Sequence, residues 1–144
     1  MNPNQFDKSK SLNIPYIKRI EKPWGHELHF VPEKKPYMGK IIHIDKSKRL
    51  SLQVHDKKQE SWFLLKGRAK VIWDNFEKEL IETELEKGKG YTCEVGQRHR
   101  LAGITDCDIV EVSTPEIGTT FRLEDDYQRP NETETLRKKE RSRT

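Results

Sequence analysis

The sequence predicts a single all-β domain, a sandwich or a barrel, on three observations. Between Tyr37 and Thr114, short runs rich in β-branched and aromatic residues follow one another. Turn signals separate them, at Asp45–Ser47, Asp56–Lys58, Asp74–Asn75, Gly88–Gly90, Gly96 and Asp106. No window sustains an apolar period of about 3.6 residues over three turns. The length, 144 residues, suits one domain, which usually spans about 100–150.

Taken in order, residues 1–20 read as a flexible arm in which proline and charge dominate. The first fifteen residues hold no apolar h-region, so no secretory leader is expected. Strands are expected within 37–45, 49–55, 60–67, 68–74, 78–85, 90–95, 99–105 and 107–114. From Arg129 onward one residue in sixteen is apolar. Residues 130–144 are therefore expected to form a disordered, dispensable basic tail around a domain of 21–129.

Charged residues make up 36% of the chain and hydrophobic ones 32%, so the core is lean or the ends are unfolded. The net charge of +4 sits largely at the two ends. A nucleic-acid binder would concentrate it on a folded face, so none is expected as partner. No apolar run approaches the roughly 18 residues that cross a bilayer. Cys93 and Cys107 form no C-x-x-C pair, which points to free thiols in a reducing cytoplasm.

Strand parity places Ser51, Gln53 and His55 on one face and Leu50, Leu52 and Val54 on the other. A polar face carrying Gln and His makes sense if it looks into a barrel lumen. A turn at Asp56–Lys58 can bring Glu60 back beside Gln53 and His55, with Trp62 and Leu64 on the same face. His99 follows about forty residues later. Two imidazoles, a carboxylate and an amide oxygen make a mixed N/O set for one divalent metal, with positions left for substrate. The apolar strip of Leu50, Leu52 and Val54 suggests a homodimer. His26, His29 and His43 read as ordinary structural or surface histidines.

This spacing resembles the cupins, whose first motif is G-x5-H-x-H-x3–4-E-x6-G. Here Gln53, His55, Glu60 and Gly67 fill it, and Gly88, Gly96 and His99 fill the second motif. Ser47, Glu94 and Gly103 depart from the pattern at turns. The chain resembles more closely the C-terminal cupin half of type II phosphomannose isomerases. Lys22-Pro23-Trp24-Gly25, the run Leu50 to His55 with Gln in the first ligand slot, and Arg122 to Arg129 carry that likeness. Asp56, Lys57, Lys58 and Ser61 depart from it, and the stretch between Glu116 and Arg122 is short. The nucleotidyltransferase half of the bifunctional proteins is missing from this sequence.

The resemblance implies a cupin jelly-roll barrel that isomerises a sugar phosphate such as mannose 6-phosphate. Gln53, His55, Glu60 and His99 would hold the metal: zinc first, with manganese, cobalt, nickel or iron as alternatives. Lys40 and Arg122 would surround the substrate. Lys58 would be the catalytic residue, as base only if its pKa is depressed, otherwise as phosphate anchor. Two other readings stand beside it. One is a cupin oxygenase or lyase acting on a small anion, and the other a non-catalytic sugar- or metal-binding module.

Overall fold

A computed structural model describes residues 2–12 and 14–142. Among these residues eleven strands form two antiparallel sheets: β1 (Lys18–Lys22), β2 (Gly25–His29), β3 (Met38–Ile44), β4 (Leu52–His55), β5 (Glu60–Lys66), β6 (Ala69–Asp74), β7 (Leu80–Glu84), β8 (Gly90–Cys93), β9 (His99–Gly103), β10 (Cys107–Ser113) and β11 (Thr120–Glu124). One sheet runs β1-β2-β3-β10-β5-β8 and the other β11-β4-β9-β6-β7. Strands adjacent in sequence repeatedly sit in opposite sheets, as in a jelly roll. Every strand expected between residues 37 and 114 is present.

Trp24, Ile42, Ile44, Trp62, Leu64, Val71, Leu85, Leu101 and Ile109 fill the space between the sheets, with both cysteines among them. Each such side chain contributes about 1.5–3 kcal/mol by leaving water, so a lean composition still yields a closed core. Two glycines make close approaches that no other residue allows. A Cβ on Gly25 would lie 2.0 Å from the His43 carbonyl oxygen, and one on Gly67 2.1 Å from that of Asp106. Both have positive φ, at +152° and +79°. Gly25 ends the two-residue Pro23–Trp24 hairpin that joins β1 to β2.

The structure corrects the sequence reading in three places. The arm ends earlier than residue 20, because Lys18–Lys22 pairs with β2 at the edge of its own sheet. Ahead of it, Lys8–Lys10 forms an exposed 3-10 turn capped by Asp7. The apolar strip of Leu50, Leu52 and Val54 does not stand open. The chain leaves strand geometry at Leu50–Ser51. Leu50 packs on the core and Leu52 is buried.

The third correction is the tail. Glu134–Arg141 forms helix α1, with the Thr133 hydroxyl accepting from the Leu136 amide as N-cap. What docks it is charge rather than an apolar face, which is why composition alone missed it. Arg137 is buried; its guanidinium donates to Glu132 at 2.7 Å, to the Glu116 carbonyl at 2.9 Å and to the Gly118 carbonyl at 3.3 Å. Arg141 pairs with the Glu116 carboxylate. The tail is therefore expected to add to stability. Arg137→Ala, which strands these acceptors, should cost about 2 kcal/mol and lower the melting temperature by roughly 5 °C. An unchanged thermal transition would show that the helix does not dock.

Candidate metal centre

The polar site lies at one end of the barrel, and strand register builds it. Gln53 on β4 is the direct partner of His99 on β9. Glu60 begins β5 in the opposite sheet, opposite Cys93. His55, Glu60 and His99 are all buried, and each offers a ligand atom within 4.8 Å of the others. His99 Nε2 lies 2.9 Å from Glu60 Oε1, and His55 Nε2 lies 3.7 Å from it. Gln53 Nε2 is 3.4 Å from both imidazole Nε2 atoms. All four residues expected to hold the metal converge.

The other ring nitrogens are fixed from behind. His99 Nδ1 donates to the Gln97 carbonyl at 2.9 Å, with Cys93 Sγ 3.2 Å away. His55 Nδ1 is hydrogen-bonded to the Thr120 hydroxyl at 2.9 Å. These contacts point each Nε2 at the centre, where it becomes a metal ligand once any proton on it is displaced. Ser51 Oγ lies 2.7 Å from Gln53 Oε1. A half-turn of the amide exchanges its ends, so that Ser51 accepts from the nitrogen and the oxygen faces the imidazoles. The donor set therefore fits a divalent ion, with two borderline nitrogens and hard oxygens in a shielded pocket.

A layer of buried charge adjoins the centre. Register across the larger sheet puts His29, Lys40, Glu111 and Trp62 in one inward-facing row. Lys40 Nζ reaches Glu116 at 2.6 Å, Glu27 at 3.3 Å and Glu111 at 3.5 Å. Lys58 Nζ reaches Glu60 at 2.9 Å, Glu111 at 3.1 Å and Glu116 at 3.6 Å. Arg122 lines the same chamber but is turned to the Pro130 carbonyl at 2.6 Å and Glu132 at 3.2 Å. Glu27, His29 and Glu116 form a second three-ligand group. The Lys40 ammonium already sits against two of its carboxylates. His26 and His43 stack on each other with centroids 4.7 Å apart, and His43 pairs with Asp108.

Sequence reasoning missed Glu27, Glu111 and Glu116. Glu111 alternates with Cys107 and Ile109 on the inward side of β10, and a charge at an inward parity position was the available signal. The chain carried no comparable mark for Glu116, which lies in the irregular segment between β10 and β11.

Burial disfavours charge throughout, and the neighbours decide the outcome. For Lys58, Glu111 and Glu60 outweigh burial and hold the amine well above its ordinary value. Glu60 is held well below the usual carboxylate range, because Lys58 and the two imidazoles overcome its burial. Burial depresses His55, whereas for His99 the contacts to Cys93 and Glu60 overcome burial and push it up to about 10. Burial and the nearby Glu60 raise Glu111.

A family model described as mannose-6-phosphate isomerase, C-terminal, matches residues 10–132. The chain belongs to that family. No curated protein sequence matches it. Among solved structures it is similar to KdgF from Halomonas sp., with 12% identity, a TM-score of 0.59, and 69% of this chain and 88% of that one covered. Oxalate decarboxylase from Bacillus subtilis, which has Mn(II) centres, gives 12%, 0.61, 74% and 30%. The capsular polysaccharide assembling protein CapF from Staphylococcus aureus gives 15%, 0.57, 82% and 32%. The chain thus spans about a third of the latter two. At these identities the likeness establishes the cupin jelly-roll fold. Among the described residues no helix is long and apolar enough to cross a membrane.

Metal binding must displace the proton that His99 holds below a pH of about 10. Affinity should therefore rise with pH, by about tenfold per unit below that value, with one proton released per metal. Calorimetric titration with Mn(II) in buffers of different ionisation enthalpy measures that proton. Proton-independent binding would mean that His99 is not a ligand.

Proposed function

We propose that this chain is a metal-dependent aldose–ketose isomerase acting on a sugar phosphate of the mannose 6-phosphate kind. The observation that carries the reading is the pairing of a two-histidine, one-carboxylate centre with two buried lysines in one chamber, together with membership of the family. We place zinc in the centre, with manganese, cobalt, nickel or iron as alternatives. A bound divalent ion would supply a Lewis acid for the sugar carbonyl and the charge that develops on it.

The residues do the rest. His55, Glu60, His99 and Gln53 hold the ion, and Thr120, Gln97 and Ser51 hold their side chains in place. Lys40 and Lys58 supply fixed positive charge for the anionic end of the substrate, with Arg122 behind them at the rim. Lys58 serves as anchor rather than base, because Glu60 and Glu111 keep it protonated. Glu111, 3.1 Å from Lys58, is the carboxylate placed to accept the migrating proton. We also propose a homodimer through the outer face of the larger sheet. There Leu28, Ile41, Val110 and Phe63 form a cross-strand row, with Leu65 and Val112 exposed beside it.

A second reading, a lyase acting on a small carboxylate, is favoured by one observation. The chamber encloses only about 50 Å³. Incubation of the metal-loaded protein with mannose 6-phosphate in D2O separates the two. The isomerase should place deuterium on the sugar carbon, and exchange should vanish with chelator. Lys58→Arg should retain exchange and Lys58→Ala should lose most of it. Absence of exchange under any of these metals would remove the isomerase reading.

A further inference from the structure

The chamber beside the metal centre offers about 50 Å³, room for only a few waters. Pockets that enclose drug-sized ligands run to about 300–1,000 Å³. A phosphorylated sugar therefore enters only if part of the wall gives way. Most of that wall is laddered strand. Among its irregular parts is the segment 114–119 between β10 and β11, which reaches into the chamber with the Glu116 side chain, 7% exposed.

Glu116 is surrounded by cations. Its Oε1 meets Lys40 at 2.6 Å and Lys58 at 3.6 Å, while its Oε2 faces Arg141 and, at 4.0 Å, Arg137. A carboxylate on two lysines and an arginine occupies the geometry that an anionic substrate group would need. Helix α1 keeps it there. Arg137 takes the carbonyls of Glu116 and Gly118, and the Gly118 amide donates to Glu134 at 3.0 Å. The only buried residue of that helix is Arg137. Its docking is polar, so it can be released without exposing a core. The helix also lies beyond the residues that match the family model.

We propose that the Glu116 carboxylate is a built-in occupant of an oxyanion subsite formed by Lys40, Lys58 and Arg141, held by helix α1 until a phosphate monoester displaces it. Three cations suit a dianion better than a single carboxylate. The proposal deepens the isomerase reading by making entry of the phosphate group the step that opens the chamber. It does not need turnover, so a phosphate titration tests it even if isotope exchange is absent.

The test is calorimetric titration of the full chain with inorganic phosphate. Glu116→Gln keeps the volume and removes the competing charge, so it should bind phosphate about tenfold more tightly than wild type, as expected when a closed state is relieved. Adding Arg141→Ala to that variant should weaken binding again. Acetate should bind it more weakly than phosphate. In the wild-type protein, phosphate should speed amide hydrogen exchange across 134–141. Glu116→Gln binding phosphate no better than wild type, acetate matching phosphate, or a helix whose exchange slows or stays constant would each overturn the proposal.

Discussion

Two ammonium groups with almost no access to water set the terms for this end of the barrel. Each buried ion costs several kcal/mol unless it is paired with good geometry. Lys40 and Lys58 meet that demand by sharing Glu27, Glu60, Glu111 and Glu116. The sharing is possible only because the β2–β3–β10–β5 register lines up their positions on one inner face. A slip of one residue would turn Lys40 and Glu111 outward and present Ile41 and Val110 inward. Glu60 joins the two halves of the site, with one oxygen among the imidazoles and the other on Lys58.

Where alternation and turn residues spoke with one voice, the sequence was readable. The strands from Met38 to Ser113 follow from β-branched runs and the turns between them. β1 and β2 were hidden by charge, since Lys18–Lys22 is an edge strand of mostly polar residues. β11 has only Phe121 and Leu123 as apolar residues, both largely exposed. Helix α1 was illegible for another reason. Its docking is done by Arg137 and Arg141, residues that composition assigns to solvent. The four candidate ligands, Gln53, His55, Glu60 and His99, were legible through motif spacing. The surrounding acids were not, because pairing across strands is a property of register that spacing along the chain does not contain.

Family membership and fold agree with this physical picture and leave it room. The jelly roll is shared with proteins of different chemistry, so the function rests on the site. That site combines imidazole donors, held by Thr120 and Gln97, with a field of charges in which Lys40, Lys58, Arg137 and Arg141 face Glu27, Glu60, Glu111 and Glu116. Removing one carboxylate from such a layer tips it toward anion binding. Glu116 is the member carried by an irregular segment rather than a strand, and hence the one best able to move.

All of this turns on one centre, and its metal content is the direct measure. Purified wild-type protein loaded with Mn(II) and passed through a desalting column should carry one metal per chain. His55→Ala/His99→Ala should carry almost none while keeping its β circular dichroism. Full occupancy in that double variant would contradict the account, because the ion would then be held somewhere other than by His55, Glu60 and His99.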